Sequence, residues 1–417
     1  MSILIKDVLL NGKKTNVFVE GNRIEEIGAK REAERVIDGR NKAAFPGFVN
    51  THTHSAMTLL RGYADDMKLH DWLNKKIWPL EAKMNEDDVY LGSKLACLEM
   101  IKSGTTCFSD MYWHMKGTAR AVEEMGLRAV LAESFIDLGK AELAEKMKKE
   151  NKGFVRFVKE MKCERIKSAL GPHAVYTVSE DSLIWAKEYA EKEKLLLHLH
   201  LAETEKENED CMKMNGRRPV PYLEKIGFLS KNLVAAHAIW FSKKEIATLA
   251  KHRVKISHNP SSNLKLASGV MQYAQMRKAG LTVSLGTDGC ASNNNLDMME
   301  EMRTAALLHK GFSMDPTMMP AKEALDIATL GGGRALGLPI GKIEEGMLAD
   351  IILIDLNRPE LCPGHNLISD LVYAANSGCV DTTICNGKIL MEERKVPGET
   401  EILKESRALG ADLRGRK

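Results

Sequence analysis

The pattern of apolar and polar positions changes twice along the chain, and the changes divide it into three stretches. Residues 1 to about 47 alternate apolar and polar side chains, with turn signals at Asn11-Gly12 and Gly21-Asn22. The same alternation returns near the C-terminus in the segments GMLADIILIDL and TTICNGKILME. These strands predict a small β-sandwich domain formed by both termini, residues 1–47 and 345–417. Two unrelated β extensions would give the same pattern.

The middle of the chain alternates strand-like apolar runs with helical stretches such as 86–102, 179–193 and 242–251. Eight runs have strand character: AFPGFVNTHTH, TTCFSDM, RAVLAESF, RIKSALGPH, LLLHLHLAE, LVAAHAI, VKISHNPSS and TVSLGTDG. This alternation predicts an α/β protein with a (β/α)8 TIM barrel, to which we assign residues 48–344. A doubly wound sheet is the competing layout, but the chain has no GxGxxG or GxxxxGK[ST] phosphate loop.

Composition excludes several classes of partner. The 417 residues include 60 Lys plus Arg and 57 Asp plus Glu, a net charge of +3, so we expect no nucleic-acid or anionic-membrane partner. No apolar run approaches the roughly 18 residues of a membrane span. Lys6 and Asp7 interrupt the N-terminal apolar stretch, which argues against a signal peptide. The 8 cysteines form no CxxC pair, so reduced thiols and a cytoplasmic location are expected.

Ionisable side chains stand where several predicted barrel strands end. The first strand ends in His52 and His54, which lie two residues apart and therefore share a face. The fifth strand carries His198 and His200, of which His200 lies nearer the C-terminal end of the strand. His200 is therefore the better metal ligand, and His198 is expected one layer deeper as a hydrogen-bonded core residue.

Three more such groups follow along the chain. Glu203 comes after the fifth strand, His237 ends the sixth and Asp288 follows the eighth. The C-terminal ends of barrel strands converge on one site, and buried His or Asp side chains need a partner or a metal. The sequence therefore predicts one metal held by His52, His54, His200 and Asp288. Nitrogen and carboxylate ligands favour zinc, with iron as the second choice.

Several segments together resemble one known family. The segments are PGFVNTHTHSAMTLLRGYADD, WLNKKIWPLE, SGTTCFSDMY, GPHAVYT, LHLAET, HNPSSNLKLASG, GTDGCASNNNLDM and GKIEEGMLADIILID. They are similar, in the same order and over nearly the whole chain, to the metal-dependent amidohydrolase superfamily. The narrower resemblance is to 5-methylthioadenosine/S-adenosylhomocysteine deaminases, a group close to 5′-deoxyadenosine deaminases.

The resemblance implies a distorted barrel and a role for particular residues. Glu203 corresponds to the residue that passes a proton to the purine ring, and His237 to the histidine that contacts the attacking hydroxide. Glu81 and His173 correspond to substrate contacts, with Glu81 on the ribose hydroxyls. Trp72 would add an apolar wall to the substrate site.

The implied reaction is the hydrolytic deamination of an adenine nucleoside to its inosine analogue and ammonia. A metal-activated water attacks the purine C6, Asp288 takes the water proton and later gives it to ammonia, and Glu203 protonates N1. Two-metal relatives carry a bridging lysine at the end of the fourth strand. Here that strand ends in Gly171-Pro172-His173, and Lys167 stands near its start, so one divalent metal per subunit is expected.

One departure from the family bears on the substrate. Members that use S-adenosylhomocysteine well have arginines after the third strand that hold its carboxylate. The corresponding segment, Glu133 to Lys152, contains no arginine. Lysine is a point charge without the bidentate fork of arginine. We therefore expect smaller, uncharged 5′ groups to be preferred, as in 5′-deoxyadenosine, methylthioadenosine or adenosine, unless Lys140 or a neighbouring subunit of a homo-oligomer supplies the missing charge.

Two other functions remain open from the sequence. The first is a related amidohydrolase reaction on guanine, cytosine or a chlorotriazine. Glu81 and His173 argue against it, because a free base has no ribose to bind. The second is a non-catalytic scaffold with a structural metal. Glu203 and His237 argue against that function, because a closed structural site needs neither a proton carrier nor a contact to hydroxide.

Overall fold

A computed structural model describes residues 1–416, the side chain of His70 apart. Its centre is a sheet of eight parallel strands arranged in chain order, the α/β barrel that the sequence predicts. Within the whole chain these are β6 to β13: Phe48–Thr53, Thr105–Tyr112, Arg128–Phe135, Ile166–Pro172, Leu196–Leu201, Leu233–His237, Lys255–His258 and Thr282–Leu285. All carboxyl ends of these strands therefore meet at one end of the barrel.

The barrel is distorted at the seam between its first and last strands. These two strands, β6 and β13, form no continuous ladder, and single hydrogen bonds join the segments instead. Thr51 Oγ1 donates to the Leu285 carbonyl at 2.9 Å, and the Asp288 backbone N–H donates to the His52 carbonyl at 2.9 Å. The seam thus brings the segment after the eighth strand directly onto the histidine-bearing first strand.

Helices separate the strands and cover the barrel. The α-helices α1 to α16 span Leu69–Trp72, Trp78–Glu81, Glu86–Ser103, Met115–Met125, Ala141–Met161, Glu180–Glu193, Glu205–Asn215, Pro219–Lys225, Lys243–Lys251, Pro260–Lys265, Tyr273–Lys278, Met298–Ser313, Ala321–Ala328, Leu330–Leu336, Leu367–Tyr373 and Glu399–Gly415. Short 3₁₀ turns cover Ser55–Leu60, Pro359–Leu361 and Ser377–Cys379, and a π-helical turn covers Leu73–Ile77.

Local sequence signals set several helix starts. Asn85 and Asp88 form a reciprocal capping box at the start of α3, and Ser242 and Glu245 form another at α9. These boxes satisfy backbone N–H groups that the first helical turn leaves unpaired. The three helices predicted over 86–102, 179–193 and 242–251 are present within one or two residues of those bounds.

A second, mixed sheet combines the two ends of the chain. Its strands are β1 to β5, spanning Ser2–Leu10, Lys13–Glu20, Arg23–Ile27, Arg35–Asp38 and Lys42–Pro46, and β14 to β16, spanning Ile351–Asp355, Val380–Cys385 and Lys388–Met391. The antiparallel pairing of β5 with β14 joins the N-terminal and C-terminal strands. Isoleucine, leucine and valine side chains of these strands form their own buried cluster.

The run AFPGFVNTHTH is two strands, although its continuous apolar pattern predicts one. Its first part belongs to β5 in the terminal sheet and its second part to β6 in the barrel, with Gly47 between them. A Cβ on Gly47 would lie 2.2 Å from Thr106 Oγ1, so no larger residue fits where the chain changes sheets. Apolar periodicity alone does not reveal this change, because both strands are buried.

The last helix returns to the barrel. Helix α16 packs against α3, and Arg416 Nη2 donates to Asp88 Oδ1 at 2.8 Å just beyond its end. The predicted domain bounds at residues 47 and 345 stay a prediction, because the segment after residue 345 contributes strands to the terminal sheet and a helix to the barrel. No helix within residues 1–416 is long and apolar enough to cross a membrane.

Candidate metal and substrate site

Four ionisable side chains meet at the C-terminal end of the barrel. His54 Nε2 lies 3.3 Å from His200 Nε2 and 3.3 Å from Asp288 Oδ1, and His52 Nε2 lies 3.4 Å from the same carboxylate oxygen. All four side chains are almost completely shielded from solvent. The structure thus brings together the four residues that the sequence predicts as one ligand set.

The Nδ1 atom of each histidine, which points away from the other ligands, already has a hydrogen-bond partner. The Nδ1 atoms of His54 and His200 lie 2.5 and 2.9 Å from the carbonyl oxygens of Met111 and His173, to which they donate. His52 Nδ1 lies 2.8 Å from His198 Nε2. These bonds direct the three Nε2 atoms at one point, which is the usual way in which proteins orient metal-ligating histidines.

The buried inner atoms fit a divalent metal. His52 Nε2 is inaccessible to water and has no hydrogen-bond partner, a costly state for a buried nitrogen. Ligand atoms of His52, His54 and His200 lie within 4.8 Å of one another, as do those of His52, His237 and Asp288. Imidazole nitrogens and a carboxylate oxygen at this separation suit one zinc-like ion.

His198 lies deeper in the barrel, as expected from its position on the strand. Its Nε2 faces His52, and its Nδ1 lies 3.2 Å from Ser109 Oγ. With His52 Nε2 kept unprotonated for a metal, His52 Nδ1 donates to His198, and His198 Nδ1 in turn donates to Ser109. His198 therefore stands behind the candidate ligand His52, and its supporting role stays a prediction.

Asp288 keeps a charged carboxylate in spite of its burial. Burial raises its pKa, but the adjacent imidazole rings of His52 and His54 outweigh that effect and hold the pKa well below the ordinary aspartate value. Ser262 Oγ and Ser292 Oγ donate to Asp288 Oδ2 at 2.6 and 3.1 Å. The Oδ1 atom of the carboxylate therefore faces the histidines, while the two serine hydroxyls hold its Oδ2 atom in place.

Glu203 and His237 stand on the other side of the ligand set. Their side chains approach to 3.9 Å between Glu203 Oε2 and His237 Nε2. Burial raises the pKa of Glu203 above the ordinary glutamate value, and Ser268 Oγ donates to its Oε1 at 3.3 Å. His237 Nδ1 donates to Asn263 Oδ1 at 2.9 Å, so its Nε2 is the ring nitrogen that faces Glu203.

A cavity opens above these groups at the C-terminal end of the barrel. Its lining includes His54, His200, Glu203, His237 and Asp288, and also the three predicted substrate contacts Trp72, Glu81 and His173. His52 lies beneath this lining, against the other ligands. Every site residue predicted from the sequence is therefore at this one place in the fold.

The predicted substrate contacts differ in polarity. Tyr112 Oη donates to Glu81 Oε1 at 2.7 Å, and burial raises the pKa of Glu81. His173 Nδ1 lies 2.9 Å from Thr177 Oγ1, and burial lowers the His173 pKa to about 3, so its ring is neutral. Trp72 donates its indole N–H to the Ala64 carbonyl at 2.9 Å and presents only apolar surface to the cavity.

Several residues that hydrogen-bond the predicted site residues are not themselves predicted from the sequence. Tyr112 holds Glu81, Asn263 holds His237, and Ser262 and Ser292 hold Asp288. The signal was present, because Ser262 and Asn263 belong to the polar run HNPSSN at the end of the seventh strand. A polar run at the C-terminal end of a barrel strand indicates residues of the functional site.

The charge of the lining also bears on the substrate and on the metal count. None of the described cavity-lining residues is a lysine or an arginine. Lys140 is exposed at the start of α5 and does not line the cavity. Lys167 is exposed near the start of β9, away from the ligands at the opposite end of the barrel. The described site thus contains one ligand set and no cationic clamp.

Comparison with known proteins agrees with this geometry. Residues 43–390 match the model of the amidohydrolase family. A 5′-deoxyadenosine deaminase of Methanoregula boonei is 48% identical over 420 residues, covering 99% of this chain and 95% of that protein. The 5-methylthioadenosine/S-adenosylhomocysteine deaminase 1 of Archaeoglobus fulgidus is 51% identical over 391 residues, covering 93% and 92%.

A solved structure gives the same result for the fold. A zinc-bound adenosine deaminase from Xanthomonas campestris superposes with a TM-score of 0.94 at 33% identity, and the match covers 99% of each chain. The ligand geometry, the long family match and the two close relatives all lead to one assignment. The chain belongs to the amidohydrolase family.

Proposed function

We propose that the protein deaminates adenine nucleosides by hydrolysis, converting the C6 amine to a carbonyl and releasing ammonia. One observation carries the proposal: Glu203, a buried glutamate with a raised pKa, lines the same cavity as three of the four candidate ligands. A structural metal would need no such proton donor beside an open cavity. The names of the two close relatives, both deaminases of adenine nucleosides, support the same reaction.

We propose zinc as the metal, with Fe²⁺ as the alternative, held by His52, His54, His200 and Asp288. The zinc-bound relative from Xanthomonas campestris supports this choice. When bound, such an ion lowers the pKa of water enough to supply hydroxide near neutral pH. Asp288 has a depressed pKa and can accept a proton from the attacking water. It then returns this proton to the departing amine, so that ammonia leaves rather than an amide ion.

Glu203 is the second proton carrier in this proposal. Attack at C6 places negative charge on the purine ring, and protonation at N1 relieves it. A carboxyl group whose pKa is raised by burial retains its proton at a pH where an ordinary glutamate has lost it. His237 turns its Nε2 toward the same space, where it can hydrogen-bond the attacking hydroxide.

Glu81 and His173 are proposed to hold the nucleoside, with Glu81 on the ribose hydroxyls. Among the residues that the structure describes, Tyr112 donates to the Glu81 carboxylate, which is buried within the cavity. Two ribose hydroxyls would satisfy its remaining acceptor sites. A free base cannot do so and would leave the carboxylate short of partners, at a cost of about 1–3 kcal/mol.

The lining also favours a small neutral 5′ group. Trp72, Leu73 and Ile136 contribute apolar surface, and no described lining residue is a lysine or arginine. A zwitterionic amino-acid tail would lose solvation here without gaining a charged partner. We therefore propose 5′-deoxyadenosine, methylthioadenosine and adenosine as better substrates than S-adenosylhomocysteine.

The reaction class is tested by incubating the zinc-loaded protein with adenine nucleosides, guanine, cytosine and a chlorotriazine. The ultraviolet spectrum and released ammonia are recorded. The proposal expects equal amounts of inosine analogue and ammonia from the nucleosides. Faster turnover of guanine, cytosine or the triazine would assign the chain to the alternative reaction. No turnover of any compound by metal-loaded protein would favour a binding scaffold.

The substrate preference needs a separate comparison of kcat/KM. 5′-Deoxyadenosine, methylthioadenosine, adenosine, S-adenosylhomocysteine and adenine are compared under one set of conditions. We expect the three compounds with neutral 5′ groups to exceed S-adenosylhomocysteine, and adenine to be poor. A clear preference for S-adenosylhomocysteine would contradict the argument from the missing cation. Good turnover of adenine would contradict the role of Glu81.

A further inference from the structure

Glu207 is a buried carboxylate next to the site that the proposed chemistry does not use. It lies in the first turn of α7, four residues after Glu203, and is 4% exposed. Its Oε1 accepts the backbone N–H of Ala202 at 2.9 Å, and its Oε2 accepts the backbone N–H of Glu203 at 3.1 Å. One carboxylate thus holds two consecutive peptide groups, including that of the proposed proton carrier.

This arrangement differs from an ordinary helix cap. Thr204 is the cap residue of α7, and its hydroxyl accepts the Glu207 backbone N–H at 3.2 Å. In a capping box the third helical residue bonds the N–H of the cap residue itself. The Glu207 carboxylate instead reaches the two residues before the cap. The helix start is satisfied by Thr204, so the carboxylate serves the turn that precedes the helix.

That turn has an uncommon backbone conformation. Ala202 has a φ of 52°, in the left-handed region that costs a non-glycine residue about 1–2 kcal/mol. Its carbonyl accepts two further N–H groups, those of Ile239 and Trp240, each at 3.1 Å. The turn is therefore fixed from both sides, by Glu207 through N–H groups and by the loop after the sixth strand through a carbonyl.

The hydrogen bonds continue to the side chain of Glu203. Trp240 Nε1 donates to the Ser268 carbonyl at 2.7 Å, and Ser268 Oγ donates to Glu203 Oε1 at 3.3 Å. The backbone of Glu203 is thus held by Glu207, and its carboxyl group by Ser268. Together they fix where the carboxyl group can deliver a proton.

We propose that Glu207 is a positioning residue that sets the orientation of Glu203 for proton transfer. The inference rests on the proposed function, because it assigns Glu207 a role through the proton carrier. A buried carboxylate costs free energy, and burial raises the Glu207 pKa to about 7. Its two oxygens match the two N–H groups, whereas an amide in the same place has only one acceptor oxygen.

The test is Glu207→Gln, with Glu209→Gln as a matched control. Glu209 lies two residues further along the same helix and is exposed. In Glu207→Gln the new amide N–H₂ faces a backbone N–H, so the turn must shift. A misplacement of about 1 Å in a catalytic group costs on the order of 10²-fold in rate. We expect kcat on an adenine nucleoside to fall at least about tenfold, with KM within about twofold and zinc content unchanged. Glu209→Gln should match the parent protein.

A double variant separates positioning from a general loss of structure. If Glu207 acts through Glu203, Glu207→Gln has no further effect on kcat once Glu203→Gln is present. A further loss of about tenfold in the double variant would show that Glu207 acts independently and would overturn the proposal. An unchanged kcat in Glu207→Gln alone would also overturn it.

Amide hydrogen exchange provides a readout that does not require activity. The N–H groups of residues 202 and 203 should exchange faster in Glu207→Gln and at the parental rate in Glu209→Gln. Unchanged protection would mean that the carboxylate does not hold the turn, and would refute the inference. If the parent protein deaminates no adenine nucleoside, the proposed function fails, and the catalytic role of Glu207 fails with it. Exchange then still reports whether the carboxylate holds the turn.

Discussion

His198 and His200 lie two residues apart on one strand but should affect metal binding very differently when replaced. The structure places His200 Nε2 among the ligand atoms, 3.3 Å from His54 Nε2. It places His198 one layer below, where its Nε2 lies 2.8 Å from the outer nitrogen of His52 and its Nδ1 lies 3.2 Å from Ser109 Oγ. His200→Ala removes a ligand, whereas His198→Ala removes the hydrogen bond that orients one.

The expected magnitudes follow from these contacts. Loss of a hydrogen-bond partner behind a ligand typically weakens metal affinity by about 10–100-fold, or about 1.4–2.7 kcal/mol. A tightly bound zinc withstands such a loss. We therefore expect His198→Ala to retain close to one zinc per chain after dialysis with about tenfold to hundredfold weaker affinity. His200→Ala and His54→Ala should lose their zinc under the same treatment.

The assay combines elemental analysis with competition against a chromogenic chelator. Thermal unfolding of each metal-free variant checks that the buried substitution has not unfolded the chain. Equal loss of zinc in folded His198→Ala and His200→Ala would refute the different roles of the two histidines. Full retention in His200→Ala would remove it from the ligand set.

Three further outcomes follow from the same geometry. Glu203→Gln should retain zinc but lose about 10²–10⁴-fold in kcat, because an amide cannot carry the N1 proton; near-parental kcat would remove Glu203 from the mechanism. Glu81→Ala should lower kcat/KM for ribose-bearing substrates about 10–150-fold without lowering the slow reaction of adenine, which no longer leaves a buried carboxylate unpaired, as kinetics on both compounds will show. Burial lowers the His309 pKa to about 4, against about 6.5 in the unfolded chain. The neutral His309 ring therefore contributes to folding stability above pH 6.5, and this contribution is lost as the pH falls toward 4. Urea unfolding at pH 7.5 and pH 5 should show a smaller pH-dependent loss for His309→Gln than for the parent, by about 2 kcal/mol; equal losses would contradict this reasoning.

The sequence predicts the barrel, and it predicts that the candidate ligands lie close together, because both depend on strand periodicity. Side chains two apart on a strand share a face, and the ends of parallel strands share one edge of the barrel. These two rules suffice to bring His52, His54 and His200 together. They also place His198 below His200, since depth along a strand follows from residue number.

The remaining features depend on contacts that periodicity does not encode. The change of sheet at Gly47 follows from its close approach to Thr106 in a distant strand. Tyr112 and Asn263 act through hydrogen bonds to Glu81 and His237, and only the folded chain reveals such pairs. Glu207 has the spacing of an ordinary capping residue, and its actual partners depend on the left-handed turn at Ala202.

The central claim is that water replaces the amine at C6 of an adenine nucleoside. It is tested most directly by incubating the zinc-loaded protein with 5′-deoxyadenosine in water enriched in oxygen-18 and analysing the product by mass spectrometry. The account predicts 5′-deoxyinosine carrying one heavy oxygen on the base, with one equivalent of ammonia and an intact ribose. Recovery of unchanged 5′-deoxyadenosine, or cleavage to free adenine without ammonia, would contradict it.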